Sequence, residues 1–217
     1  MTKIREFYKG GFWHIYNRGV AKEEIFHEKG DYIFYLYKLK ETLKKYSITI
    51  HAYNFLPNHL HYLIEQTSEI TPSKFFSGLH TSFSSYINRK YNRVGHLFQN
   101  RFQEKHIEKT DYLLDLSLYI HLNKILEKLQ HIDQAFISKD MLQKLLDEAE
   151  RDPWNSYSVY LGLREDQITQ DKFILSLISD NLKKAREDYQ KLAKEAVISG
   201  KFLKVRDLIF EDFQGLS

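Results

Sequence analysis

The chain has 217 residues, of which 42% are hydrophobic, with a formal net charge of +3 and no cysteine. This length suits one large domain or a core with an appendage, and a chain of this size buries about 70% of its unfolded surface without covalent cross-links. The lack of cysteine excludes a cysteine nucleophile, a cysteine-ligated zinc site and a disulfide framework. Because no secretory pattern opens the sequence and no apolar stretch reaches the roughly 18 residues of a membrane span, we expect a cytoplasmic protein without a membrane partner.

The first half of the chain alternates extended and helical patterns. Residues 12–18 follow two glycines and alternate as a strand does, whereas residues 31–46 carry apolar side chains at helical spacing. Residues 48–55 predict a second strand. Residues 58–66 predict a third strand that pairs with the second as a hairpin across a Pro-Asn turn.

A second helix, a fourth strand and a third helix come next in the sequence. A Thr-Pro pair is typical of a helix start, and this helix is predicted to span residues 72–91. Residues 97–107 predict a strand, and residues 110–125 a strongly apolar helix that Thr110 caps. The element order predicts an α+β fold, in which helices pack on an antiparallel sheet of four or five strands with split βαβ, ferredoxin- or RRM-like, topology.

The character of the chain changes after residue 127 and becomes helical. Residues 138–151 predict an amphipathic helix, residues 171–197 one or two further helices, and residues 201–213 a last short one. We therefore expect a first domain over residues 1–127 and a helical extension over residues 128–217.

Two histidines in the third predicted strand are the first candidates for a functional site. His59 and His61 are two residues apart, so both side chains project from one face of a strand. Such a pair can hold a metal or a phosphate, although a His-x-His on a strand is more often structural or on the surface. Tyr119 and Asn123 are four residues apart in the third predicted helix, so they share one helix face. Two imidazoles and an amide oxygen are a reasonable ligand set for a divalent cation, and the tyrosine would then lie where it attacks a bound phosphate.

The choice of tyrosine needs support, because the chain has 15 of them. On the predicted helices only Tyr37 and Tyr119 have an oxygen-bearing side chain four residues later, at Glu41 and Asn123. Tyr37 lies in a run of aromatic residues that favours packing. Core packing is also the alternative for Tyr119, because its helix is rich in Leu and Ile.

Basic residues are concentrated next to the histidine pair. Between Lys74 and Lys109 the chain has seven basic and two acidic residues, whereas from Lys139 onward it has 13 basic and 15 acidic residues. A surface that tracks phosphates needs such a concentration, although an ordinary solvated basic helix also shows it. The candidates for backbone contacts or for stacking on unpaired bases are Arg18, Arg89, Lys90, Arg93, Arg101, Lys105, Phe98, Phe102, Tyr86 and Tyr91. For each aromatic residue, core packing is the alternative.

Four segments in the same order resemble the one-tyrosine HUH transposases, and most closely their REP-associated tyrosine transposase branch. These segments are WHIYNRG at 13–19, LPNHLH at 56–61, GHLFQNRF at 95–102 and YIHLN at 119–123. A later stretch, PWNSYSVY at 153–160, also resembles a segment of that branch.

The resemblance implies a role for each motif residue. In that family two histidines around one hydrophobic residue bind a divalent metal, usually Mg²⁺ or Mn²⁺, which implies His59 and His61. The helix tyrosine is the nucleophile, which implies Tyr119, and a Gln or Asn four residues later completes the metal site, which implies Asn123. One departure is Lys124, since the branch often has proline at that position.

The resemblance also implies an activity. Tyr119 would attack a phosphodiester of single-stranded DNA, giving a 5′-phosphotyrosine link and a free 3′-hydroxyl without a nucleoside triphosphate. The family's targets are hairpins with flanking single-stranded tetranucleotides, so we expect hairpin DNA, REP-like or from insertion-sequence ends, as the partner. Members act as monomers or as dimers with shared active sites, so a homodimer is one of two open states.

Two alternatives remain at the level of sequence. A zinc-dependent hydrolase would use His59, His61 and a further histidine, and its activity would not depend on Tyr119. A domesticated protein that binds structured nucleic acid would keep the fold without cleavage.

Overall fold

The computed structural model describes residues 7–108, 110–129, 132 and 136–199. Its strands are β1 (Phe12–Arg18), β2 (Ile48–Phe55), β3 (His59–Gln66) and β4 (Gln103–Ile107). They form one antiparallel sheet in the order β2-β3-β1-β4. A 3-10 turn (Val20–Lys22) and helix α1 (Lys29–Leu43) connect β1 to β2, and helix α2 (Pro72–Lys90) connects β3 to β4. Each connection passes over one strand, so the predicted split βαβ topology is confirmed.

The remaining helices lie after β4 in the chain. They are α3 (Asp111–Leu129), α4 (Lys139–Arg151), α5 (Tyr157–Tyr160), α6 (Lys172–Ser176) and α7 (Leu182–Ser199). The predicted helical region over 171–197 is thus two helices, and the predicted helix over 201–213 lies outside the described residues. Helix α4 begins after Ser138, whose side chain accepts a hydrogen bond from the Met141 amide.

The sheet separates two buried clusters. Strand side chains alternate between its faces, so Ile15 and Tyr62 pack with α1 and α2 on one face. Leu63 and Ala52 pack with α3 and the later helices on the other. Ile50 and Ala52 are two residues apart and would share a face in a regular strand, but a shift of register between them places them in different clusters. Helix α3 therefore lies directly over the face that carries His61.

Two elements start at other residues than predicted, and one expected helix cap is absent. The fourth strand begins at Gln103 and not at residue 97, because the preceding apolar residues, Leu97 and Phe98, are buried in a loop beside the end of β1. Helix α1 begins at Lys29, where Glu28 and Asp31 form a capping box. Helix α2 starts at Pro72 as predicted, although the Thr71 hydroxyl makes no capping hydrogen bond.

Helix α3 extends four residues beyond its predicted end. Proline would interrupt it, but position 124 is lysine, and Lys124 Nζ lies 2.8 Å from Asp152 Oδ2 in an ion pair with the end of α4. The departure from the expected motif thus lengthens the helix and ties it to the next one.

In the part of the chain that the structure describes, none of the helices combines the length and the apolar character needed to cross a bilayer.

Candidate active site on the α3 face of the sheet

Strand β3 presents both histidines to α3. His61 lies opposite Tyr16 of β1, and His59 lies opposite Arg18, so all four side chains share the α3 face of the sheet. The two imidazole centroids are 4.9 Å apart with nearly perpendicular rings. Because β3 is hydrogen-bonded to a strand on each side, the backbone beneath this pair is fixed from both edges.

Helix α3 brings Tyr119 and Asn123 to the same place. Asn123 Oδ1 lies 3.1 Å from His59 Nε2. The other end of the same amide, Nδ2, donates a hydrogen bond of 2.8 Å to the Tyr119 hydroxyl. The Tyr119 ring centroid is 6.0 Å from that of His61. The four residues that the sequence singled out are therefore neighbours within one chain, with Asn123 between a histidine and the tyrosine.

Most of this site is buried. Tyr119 is 2% exposed, and His61 and Asn123 are buried with it between α3 and the sheet. The His59 side chain is 13% exposed, and Glu127, one turn beyond Asn123, is 47% exposed. The site therefore meets solvent at His59 and Glu127, and a phosphate reaches the Tyr119 hydroxyl only if this arrangement opens.

The environment keeps both histidines in the form that binds metals. Burial lowers the pKa of His59 below its ordinary value, opposed by Glu127 and Asn123 and assisted by Arg18. Burial, and then the neighbouring histidines, hold the pKa of His61 well below its ordinary value. Both rings are thus neutral near pH 7, and a neutral imidazole has a lone pair for a cation.

The donor atoms fit a divalent cation that prefers oxygen and nitrogen ligands. Two oxygens lie near His59 Nε2, Asn123 Oδ1 at 3.1 Å and Glu127 Oε1 at 3.5 Å. When oxygen atoms lie this close to a ring nitrogen, either a proton or a metal ion can occupy the space between the oxygens and the nitrogen. Among the described residues, no group of three or more His, Asp or Glu is arranged to hold a metal, so this donor set depends on the asparagine amide.

The sequence-based reasoning missed three neighbours of the histidines. Glu127 is four residues after Asn123, so helical spacing alone would have placed it on the same face. His14 Nε2 lies 3.0 Å from His61 Nδ1, a contact that depends on the pairing of β1 with β3. Asn58 Oδ1 lies 2.7 Å from His59 Nδ1, which depends on how the hairpin turn orients the amide.

The predicted DNA-contacting cations divide into exposed and paired groups. Arg18 lies beside the site, opposite His59, and its Nε donates a 2.7 Å hydrogen bond to Gln99. Lys90 Nζ is 2.6 Å from carboxylate oxygens of both Glu28 and Asp31, so its charge is neutralised within the protein. Arg93 pairs with Glu23 at 3.2 Å. The exposed basic candidates are Arg89, Arg101 and Lys105.

The aromatic candidates have contacts within the protein. Phe98 and Phe102 are buried in the cluster beneath α1 and α2, as the alternative of core packing expected. Tyr86 and Tyr91 each donate a hydrogen bond to Asp31. We therefore do not include these four rings in the exposed surface proposed for DNA.

Comparison with known proteins places the chain among transposases. Residues 10–123 match the sequence model of the family described as IS200-like transposase. A solved structure of a REP-associated tyrosine transposase bound to a REP hairpin superposes with a TM-score of 0.56 and 15% identity, over 78% of this chain and 98% of that one. A structure from Deinococcus radiodurans, described as that of a transposase, gives a TM-score of 0.39 and 13% identity over 55% of this chain and 95% of its own. No curated protein sequence matches significantly.

Proposed function

The chain belongs to the IS200-like transposase family, which makes it an enzyme that nicks and joins DNA, and we propose that it acts on single-stranded DNA through a covalent bond to Tyr119. In the first step the Tyr119 oxygen attacks a phosphodiester, a P–O bond forms, and the bond from phosphorus to the 3′-oxygen breaks. The tyrosine gives up its hydroxyl proton, the departing 3′-oxygen takes up a proton, and the products are a 5′-phosphotyrosine and a 3′-hydroxyl. Attack by a 3′-hydroxyl on the phosphotyrosine reverses these changes and rejoins a strand.

The contact that carries this proposal is made by Asn123. Its amide donates to the Tyr119 hydroxyl at 2.8 Å while its oxygen lies 3.1 Å from His59 Nε2. A buried tyrosine hydroxyl needs a hydrogen-bond partner in any case, but here that partner is the amide whose oxygen contacts a candidate metal ligand. The arrangement holds the phenolic oxygen at a fixed distance from the candidate metal ligands, as a nucleophile in an in-line displacement requires.

We propose that His59, His61 and Asn123 hold Mg²⁺ or Mn²⁺. When bound, such an ion polarises the scissile phosphate and offsets charge that develops on its oxygens. The protein contributes neutral imidazoles, an amide oxygen and the nearby Glu127 carboxylate.

The proposed substrate is single-stranded DNA next to a hairpin. Support comes from the family and from the fold, which is shared with a transposase solved on a REP hairpin. Arg18 at the rim of the site is the candidate for contact with the scissile backbone, and Arg89, Arg101 and Lys105 are exposed cations for the flanking DNA.

The experiment incubates the protein and Mn²⁺ with a labelled hairpin oligonucleotide and separates the products on a denaturing gel. We expect a covalent protein–DNA adduct that is lost in Tyr119→Phe, because phenylalanine keeps the ring and removes only the attacking oxygen. Tyr112→Phe is the matched control, since Tyr112 lies on the same helix with its ring 49% exposed.

The other outcomes separate the alternatives. Cleavage that survives in Tyr119→Phe would falsify the nucleophile assignment and favour a metal-dependent hydrolase. Specific hairpin binding without an adduct or cleavage, by a protein that binds Mn²⁺, would favour a domesticated binding protein.

A further inference from the structure

We propose that Asn58 and His14 are positioning residues, which turn the Nε2 atoms of His59 and His61 toward the metal position by accepting the Nδ1 protons of the two rings. This inference rests on the proposed metal site and concerns two residues that lie outside it. Each of the two histidines has one such neighbour, from a different part of the fold.

The arrangement at His59 is set by the hairpin turn. Asn58 Oδ1 lies 2.7 Å from His59 Nδ1. The Asn58 amide cannot turn freely, because its Nδ2 donates to the Lys22 carbonyl at 3.3 Å. Its oxygen therefore faces the ring, and because this contact is shorter than the 3.1 Å between His59 Nε2 and Asn123 Oδ1, it favours the proton on Nδ1. The lone pair of His59 is then on Nε2, the atom that lies next to Asn123 and Glu127.

The arrangement at His61 is set by the neighbouring strand. His14 Nε2 lies 3.0 Å from His61 Nδ1, and the two rings stack with centroids 5.2 Å apart and an interplanar angle of 13°. For His61 to bind a cation through Nε2, its Nδ1–H must donate to His14 Nε2, and His14 then carries its own proton on Nδ1. Both imidazoles are 1% exposed, so packing and not water surrounds them, and His14 Nδ1 is buried without a hydrogen-bond partner among the described residues.

The two contacts serve one purpose. A histidine that binds a metal through one ring nitrogen usually donates the other ring N–H to a fixed acceptor, which sets both the tautomer and the ring orientation. Loss of such an acceptor typically lowers metal affinity by about 10- to 100-fold. If position 14 served only apolar packing, a hydrocarbon side chain would suit it. A buried imidazole costs free energy unless it has a polar partner, and at position 14 that partner is His61.

The first test measures Mn²⁺ affinity of the full-length protein by electron paramagnetic resonance. Asn58→Leu and His14→Phe remove the acceptors, and each should weaken Mn²⁺ binding by about 10- to 100-fold. Asn58→Asp and His14→Gln keep an acceptor oxygen, so they should rescue most of the affinity. His106→Phe is the matched control, because His106 is paired with Trp13 on the opposite face of the sheet and its loss should leave binding unchanged.

The second test needs no metal. Long-range ¹H–¹⁵N spectra of the metal-free protein distinguish protonated from unprotonated ring nitrogens, and we expect protonated Nδ1 and unprotonated Nε2 in both His59 and His61. Asn58→Leu should mix the tautomers of His59 alone, and His14→Phe those of His61 alone.

Several outcomes would overturn the inference. The first is a protonated Nε2 in His59 or His61 of the parent protein. The second is that folded Asn58→Leu and His14→Phe both bind Mn²⁺ within about twofold of the parent, well short of the expected loss. If His59→Ala and His61→Ala also bind Mn²⁺ like the parent, the proposed metal site itself is wrong. In that case the metal-free spectra alone show whether Asn58 and His14 fix the tautomers of His59 and His61.

Discussion

Asn123 shows how one side chain can link two functions at the scale of a residue. Its oxygen lies 3.1 Å from His59 Nε2 and its nitrogen donates to the Tyr119 hydroxyl, so the proposed metal position and the proposed attacking oxygen share one amide. A change in either contact shifts the other. Glu127 adds a carboxylate on the same helix face, 3.5 Å from His59 Nε2 and half-exposed.

We predict that Glu127→Gln weakens Mn²⁺ binding slightly. A partly exposed carboxylate beside a cation contributes about 0.2 to 1 kcal/mol, or up to about fivefold in affinity, and salt screens it. Titrations at low and high salt should therefore show a difference between variant and parent that shrinks as salt rises. Glu148→Gln is the control, because Glu148 pairs with Lys128 on the neighbouring helix. Equal affinities of Glu127→Gln and parent at low salt would contradict the prediction.

The sequence predicted the adjacency of some site residues and not of others, for a physical reason. His59 with His61, and Tyr119 with Asn123, are related by the period of a strand and of a helix, which a sequence displays directly. His14 joins His61, which lies 47 residues later in the chain, only through the register of two paired strands. No local pattern encodes that register.

Helix α3 is the element on which the site depends, and the helical extension holds it in place. His121, on the helix face turned away from the site, lies between Tyr189 of α7 and Ser156, with Nδ1 2.8 Å from the tyrosine hydroxyl and Nε2 2.7 Å from Ser156 Oγ. The Tyr189 hydroxyl also lies 2.9 Å from Ser117 Oγ of α3. Buried polar contacts of this kind favour one position of a helix over others that apolar packing would permit.

We predict that Tyr189→Phe destabilises the protein by about 1–3 kcal/mol. The change removes one oxygen and leaves buried polar atoms of His121 and Ser117 without that partner, which costs this amount. Urea unfolding at pH 7 measures it. Tyr112→Phe, which removes an exposed hydroxyl from the same helix, should change the stability by less than about 0.5 kcal/mol. A Tyr189→Phe unfolding midpoint equal to that of the parent would show that this network does not hold α3.

Element ends were less predictable than element types. The apolar run at residues 97–102 has the composition of a strand, but Leu97, Phe98 and Phe102 fill the core from a loop that makes only an isolated bridge to the end of β1. Burial thus competed with strand pairing for the same residues, and a sequence does not display which one prevails.

At the scale of the whole molecule, α3 and the extension share one buried cluster. Residues of α3 such as Ile120 and Leu122 pack with Leu146 of α4 and with Tyr189 and Ala193 of α7. The predicted division into residues 1–127 and a helical extension stays a prediction, and α4 and α7 pack in the same cluster as the apolar face of α3. Each set of His59, Asn123 and Tyr119 comes from a single chain.

We predict that two inactive variants do not complement each other. A mixture of Tyr119→Phe and His59→Ala should give no covalent DNA adduct, because each site is built within one chain and its own extension holds α3. The parent at the same total concentration is the positive control, and light scattering reports the assembly state. Adduct formation by the mixture would mean that two copies exchange α3 or share a site.

We also predict that stability falls as the pH decreases from 7 to 5. Burial lowers the pKa of His14, His80 and His121 to about 3, whereas in the unfolded chain a histidine titrates near pH 6.5. Below pH 6.5 the unfolded state therefore binds more protons than the folded state, and each of these histidines costs about 2 kcal/mol at pH 5.

Urea unfolding at the two pH values tests this dependence. His80→Phe should reduce the loss between pH 7 and pH 5 by about 2 kcal/mol, whatever its effect at pH 7. His96→Gln is the control, because His96 is exposed in a surface loop, and it should retain the full loss. A parent protein equally stable at both pH values would contradict the prediction.

The burial of Tyr119 has a consequence for how the enzyme selects its substrates. If Tyr119 is the nucleophile, as we propose, then with 2% of its surface exposed it is latent in the free protein, and the energy to uncover it would come from DNA binding elsewhere on the surface. A short oligonucleotide that spans only the scissile phosphate supplies little of that energy. Such a substrate would show a reduced kcat as well as a raised KM, whereas a DNA with the hairpin attached uses its remote contacts to open the site. The enzyme would then distinguish its substrates mainly by kcat, because a strand without the hairpin could bind at the active site and still be cleaved slowly.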